Sequence, residues 1–228
     1  MRHGLSLFPV LAPQERSAAG YFAESLGLVE LAESLGYDHV QIVEHYLGPY
    51  GGYSPDPVTF LAAAAMRTDR IRLITGASIP AFTHPLQLAG KLAMLDNLSS
   101  GRLGAGFGRA FLPAEFEVFG VDLDESRERV TAGVQACRRL WSETDVTVDD
   151  GFHRFGPITA LPRPVQTPHP PIYLASAMSP ETCRWAGEQG FGLQVVPTIT
   201  SAPAATSESA SELISAVGHG CPSMPQWT

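Results

Sequence analysis

Three stretches of the chain carry side chains whose types and spacing could do chemistry. In IVEHY, Glu44 and His45 stand together at the end of an apolar run. Imidazole titrates near neutrality and can move a proton, although a lone histidine more often satisfies a local hydrogen bond. In RLGAGFGRAF, Gly104, Gly106 and Gly108 alternate directly before Arg109. This is not the dinucleotide fingerprint G-x-G-x-x-G, because the third glycine comes one residue early. Loss of side chains on alternate positions suits a strand whose one face admits another backbone or a flat ligand. A guanidinium at its end suits an anion, or else pairs with a surface carboxylate. In ASAMSPETCRW, Ser179 reads as a helix cap, with Pro180 first and Thr182 third. A helix N-terminus offers positive potential and free N–H groups to an anion, although capping alone explains the serine. Glu181, in that same turn, is expected to face solvent.

The elements that must position these groups alternate. Strands are expected at 5–10, 39–45, 71–78, through the glycine stretch, at 171–176 and at 191–196. Helices are expected at 21–36, from a cap at Asp56 with Pro57, from a cap at Thr83 with Pro85, at 125–141 and from Pro180 to Gln189. His84 reads as a helix-start residue. VTVDDGFHRF reads as a hairpin turning at Asp150-Gly151, and the six prolines between 156 and 171 exclude a helix there. Repeated βα units imply parallel strands. Either an open doubly wound sheet or a (β/α)8 TIM-type barrel fits. The barrel is favoured because Glu44-His45, Ala77-Ser78, Arg109 and Ser179 all follow strand C-terminal ends, the active face of that fold.

Composition bounds the rest. The chain has 228 residues, 44% of them hydrophobic and 17% charged, enough for one folded domain with a sizeable core. A net charge of −8 argues against a nucleic-acid surface, and no run approaches the roughly 20 apolar residues of a membrane helix. The short apolar start is broken by Pro9, so no export leader is expected. Cys137, Cys183 and Cys221 are odd in number and lack metal-ligand spacing, which reads as free thiols in a reducing cytoplasm.

In order along residues 1–197, IVEHY, RTDRIRLITGAS, THPLQLAGKLAMLDNLSSGRLGAGFGRAF, EFEVFGVDLDESRERV and LPRPVQTPHPPIYLAS together resemble the bacterial luciferase-like monooxygenases. The resemblance implies a (β/α)8 barrel using reduced FMN, usually delivered by a separate reductase, and O2 to oxidise a small apolar organic substrate. Some relatives use F420 instead. It implies a catalytic role for Glu44-His45, a ring-bedding role for Ala77-Ser78, often across a non-prolyl cis peptide, and phosphate contacts from Arg109, Ser179 and Thr182. Glu115 matches an acidic position near the flavin. Tyr46 stands where luciferases often have a second histidine, and Gly108 where some have a reactive cysteine, so neither role transfers. The resemblance also implies a homo- or heterodimer. A catalytically impaired flavin-binding subunit and an F420-dependent oxidoreductase are the alternatives.

Only about six βα units can be counted, against the eight of a closed barrel. Residues 198–228 contain 18 Ser, Ala, Thr or Pro among 31 and no longer resemble the family. The expectation is an incomplete barrel over 1–197 followed by a poorly ordered tail, as in a C-terminally truncated member.

Overall fold

Capping and proline placement set the helices. In the computed structural model, which describes residues 2–176 and 179–195, α1 (Ala18–Ser34) starts on Ser17, whose Oγ accepts from the Gly20 N–H. It ends before Gly36 at φ 79°. Asp56 caps α2 (Pro57–Ala65), its carboxylate accepting from the Val58 and Thr59 N–H groups, with Pro57 at the position that needs no donor. The cap of α3 (Pro85–Leu98) differs from expectation. It is His84, whose Nδ1 accepts from the Leu86 N–H at 3.2 Å. Thr83 instead closes the short 3₁₀ turn Pro80–Phe82 by donating its N–H to the Pro80 carbonyl. A further helix, α4 (Pro113–Phe119), follows the glycine strand, ahead of α5 (Ser126–Ser142) and α6 (Pro180–Gln189).

The strands are β1 (Gly4–Leu7), β2 (His39–Ile42), β3 (Arg72–Thr75), β4 (Leu103–Gly108), β5 (Val146–Asp149), β6 (Arg154–Ile158), β7 (Ile172–Ser176) and β8 (Gly192–Val195). Six of them form one parallel sheet in the order β1-β2-β3-β4-β7-β8. The sheet curls into part of a (β/α)8 barrel, six strands being present among the described residues. The expected hairpin is the separate antiparallel pair β5-β6. Asp150 Oδ1 accepts from the Phe152 and His153 N–H groups, and Gly151 takes φ 87° in its turn. The tail 198–228 and Cys221 lie outside the described residues. No helix of the described residues is long and apolar enough to cross a membrane.

The core lies between the convex face of the sheet and the helices. Val40, Ile42, Leu73, Leu103, Phe107 and Leu174 pack against Leu61, Leu92, Leu95, Leu140 and Trp141, all of them buried. Cys137 also lies in this core, where burial pushes its thiol up and leaves it unreactive. Two polar ties hold strands to helices. Arg102, just before β4, donates to the carbonyls of Ala65, Thr68, Ile71 and Ser99 and to the Thr68 hydroxyl. The proline-rich connector is pinned where Asp96, buried on α3, accepts from the Gln166 N–H at 3.0 Å and its side-chain amide at 2.7 Å. That tie returns the chain to pair β7 beside β4.

Candidate functional site

The groups singled out by the sequence gather at the C-terminal ends of the parallel strands. Beyond β2, the loop carrying Glu44 to Ser54 is tied by His45 N–H to the Ser54 carbonyl at 3.1 Å and by Gly51 N–H to the Pro9 carbonyl at 2.7 Å. Gly51, at φ 77°, lies directly against His45; a Cβ there would sit 2.7 Å from ring atoms. The imidazole is therefore clamped, and only 8% of its side chain is exposed.

Its Nδ1 faces Glu115 Oε1 at 3.2 Å, and the same oxygen accepts from the Tyr46 N–H at 2.9 Å. Glu115 is fully buried, not the surface carboxylate that its position near the start of α4 would allow. Its Oε2 has no hydrogen-bond partner among the described residues. A carboxylate at Nδ1 selects the tautomer protonated there and leaves Nε2 as the acceptor.

Glu44 turns a different way. Its Oε1 accepts from the Tyr46 hydroxyl at 2.6 Å and its Oε2 from the Ile79 N–H at 3.2 Å. Burial pushes its carboxyl up to about 8, against the lowering effect of those two donors. Burial and the neighbouring Glu44 also raise the Tyr46 phenol. With both oxygens engaged, Glu44 ties the loop after β3 to the loop after β2.

That loop begins with a cis peptide between Gly76 and Ala77. Ser78 then continues as if it were strand, its N–H donating to the Gly106 carbonyl and its carbonyl accepting from the Gly108 N–H. Ser78 has no exposed surface. Ala77 beside it is partly exposed.

The glycines of β4 are also explained differently. A Cβ on Gly106 would lie 1.9 Å from the Thr75 carbonyl oxygen and 2.8 Å from the Gln194 amide, and one on Gly104 would lie 3.0 Å from the Tyr173 ring. One on Gly108 would meet the Ala77 methyl at 3.0 Å. The space freed by the missing side chains is filled by the protein's own neighbours, not kept for a ligand.

Arg109 leaves β4 and donates from Nε to the buried Ser126 Oγ at 2.7 Å, at the start of α5. This brings it beside Arg127, the next residue along α5. Both arginines line a cavity of about 180 Å³ with Thr182, Thr131, Leu174 and Trp185. Ser179 caps α6 as expected, accepting from the Thr182 N–H at 3.3 Å. Its hydroxyl donates to Glu181 Oε2 at 2.9 Å, and Arg127 Nη1 lies 3.6 Å from the same carboxylate oxygen. The Glu181 carboxyl is held below its usual range by its own backbone N–H, the Ser179 hydroxyl and Arg127. It is 60% exposed, as expected of a solvent-facing side chain, yet it reaches the cavity rim. Glu181 thus occupies the position of an anion at a helix N-terminus flanked by cations.

Arg127 has no local signal, and Glu115 stands out in the sequence only through the family resemblance. The strand order brings both to the site, placing the residues after β4 and at the start of α5 over the same face.

The monooxygenase RslO1 from Streptomyces bottropensis is 55% identical with a TM-score of 0.91, covering 96% of this chain and 65% of that one. The flavin-dependent trigonelline monooxygenase, oxygenase component, of Acinetobacter baylyi is 31% identical over 86% of this chain and 54% of its own. The oxygenating constituent of 3,6-diketocamphane monooxygenase from Pseudomonas putida, solved with FMN, shares the fold at a TM-score of 0.83 and 23% identity, covering 97% of this chain and 64% of that one. The chain spans about half the length of the first curated relatives it matches. The family model described as luciferase-like monooxygenase matches residues 1–221, and the chain belongs to that family.

Proposed function

We propose that this chain carries the cofactor half of a flavin-dependent monooxygenase that uses reduced FMN and O2 to oxidise a small apolar organic molecule. The observation that carries the reading is the convergence of Arg109, Arg127 and the first turn of α6 on one cavity. Two guanidinium groups, the Thr182 hydroxyl and a helix N-terminus make a donor set that fits a phosphate monoester. Glu181 already fills the anion's place, and its exposed side chain is free to swing aside for phosphate. Reduced FMN, when bound, supplies the electrons that activate O2.

The protein's own residues do the rest in this reading. Arg109 and Arg127 neutralise the phosphate, and Ala77 offers a methyl-sized surface to a flat ring. Glu44 fixes the loop that carries Ala77 by holding the Ile79 N–H. His45, its Nδ1 tied to Glu115, presents Nε2 to hold or move a proton. A separate reductase would deliver the flavin, in keeping with the relative named as an oxygenase component.

Anaerobic titration with reduced FMN, oxidised FMN, riboflavin and F420, followed by flavin-dependent O2 uptake with product analysis, tests the proposal. The expected result is tightest binding of reduced FMN, weaker binding of riboflavin, and product formation. Preference for F420 would overturn it in favour of a hydride-transferring enzyme. FMN binding without any product would make the chain a silent flavin holder.

A further inference from the structure

Three aromatic side chains from three different loops close around His45. Phe8 follows β1, Tyr50 lies in the loop after β2, and Phe111 follows β4. Their ring centroids stand 5.7, 5.2 and 5.8 Å from the imidazole. Phe111 is close to perpendicular to both His45, at 88°, and Tyr50, at 86°. Phe8 meets Tyr50 edge-on with centroids 4.8 Å apart. Despite these contacts Phe8, Tyr50 and Phe111 remain 39%, 43% and 56% exposed. The second aromatic group, Phe82 with Phe116 and Phe119, instead packs α4 onto the loop after β3.

We propose that the substrate of this site is a planar aromatic ring system, received in the corner that Tyr50 and Phe111 form above His45. Mutually perpendicular rings present a negative face on one side and a positive edge on the other. A flat π-system dropped into that corner lies parallel to one ring and edge-on to the next, which is the arrangement aromatic pairs favour. A saturated chain would gain only buried area there and no alignment. Phe8 packs edge-on against Tyr50 in the same cluster. The inference deepens the monooxygenase reading and rests on it only in calling this ligand the substrate.

The test is equilibrium binding of two uncharged alcohols of equal carbon number, 2-naphthol and 1-decanol, to the full chain, with FMN titrated separately on the same preparation. Wild type should bind 2-naphthol about tenfold more tightly than 1-decanol. Phe111→Leu, which keeps apolar bulk but removes the ring, should abolish that preference while moving decanol less than about twofold. Phe111→Trp should restore it, and Tyr50→Leu should repeat the loss independently if the first variant fails to fold. Equal binding of the two alcohols by wild type, or a parallel loss of both in Phe111→Leu, would overturn the aromatic site. Ring preference without FMN binding would leave the aromatic site standing and remove the cofactor reading. FMN binding without ring preference would do the reverse.

Discussion

Glu115 Oε1 lies 3.2 Å from His45 Nδ1 across 70 positions of sequence, and the carboxylate has no exposed surface. A buried carboxylate is costly unless paired, so the fold commits this group to the imidazole and to the Tyr46 N–H. Glu115 therefore acts as a positioning residue, fixing both the tautomer and the plane of His45.

Replacing Glu115 with Gln preserves size but lets the amide reverse which nitrogen of His45 is protonated. Turnover should fall roughly 10²-fold, within the range of general acid–base contributions, with FMN affinity unchanged. The loss should fall on kcat, with KM little changed. A variant with wild-type kcat would remove the positioning role.

Charge at the α6 N-terminus should tune phosphate binding in both directions. Arg109→Ala and Arg127→Ala should each weaken FMN by about 1.5–3 kcal/mol while sparing riboflavin, as expected for a hydrogen bond to a charged group. Glu181→Gln should tighten FMN and leave riboflavin alone, since it removes the carboxylate that competes for Ser179 and Arg127. Equal effects on FMN and riboflavin would show that these side chains act on something other than phosphate.

The β4 glycines make a graded series. Gly106→Ala drives a methyl against the Thr75 backbone carbonyl, which cannot yield, whereas Gly108→Ala meets the Ala77 methyl at 3.0 Å and the Ala175 methyl at an ordinary 3.6 Å. Gly106→Ala should lose about 1–3 kcal/mol or more of stability with no flavin present, and Gly108→Ala less. Thermal unfolding of the flavin-free proteins measures this. A fully stable Gly106→Ala whose only defect is flavin binding would return the glycines to the cofactor.

How much of this was legible depended on whether the cause was local. Asp56 with Pro57 and Ser179 with Pro180 announce their helices because a cap and a pre-set φ act within one turn. The alternation of Gly104, Gly106 and Gly108 announces that one strand face must be bare. It cannot say what fills the space, because Thr75 and Gln194 arrive from β3 and β8. The family resemblance implies a ring contact at Ala77-Ser78; the parallel pairing to β4 that buries the Ser78 side chain has no mark in the sequence. Thr83 and His84 are both plausible caps in sequence; the 3₁₀ turn ending at Thr83 decides between them. Arg127 becomes visible only when the strand order stacks its element over the same face, and the resemblance that marks Glu115 as acidic near the flavin does not name His45 as its partner.

Glu44 gives the last prediction, through its pH dependence. Burial raises its carboxyl from 4.5 to about 8 in the folded chain, while the unfolded chain titrates near the ordinary carboxylate value. Between those two values the native state holds a proton that the unfolded state has released. Stability from this group is therefore complete below about pH 4.5, declines as pH rises toward 8, and is flat above it. The limiting slope for one proton is about 1.4 kcal/mol per pH unit. Glu44→Gln keeps an oxygen for the Ile79 N–H and can donate to Tyr46, but it cannot ionise. The variant should match wild type near pH 5 and exceed it in unfolding free energy at pH 8, with the difference widening steadily between. Denaturant unfolding at one-unit pH intervals measures that difference directly. Parallel stability curves for the two proteins would show that the Glu44 proton is not linked to folding.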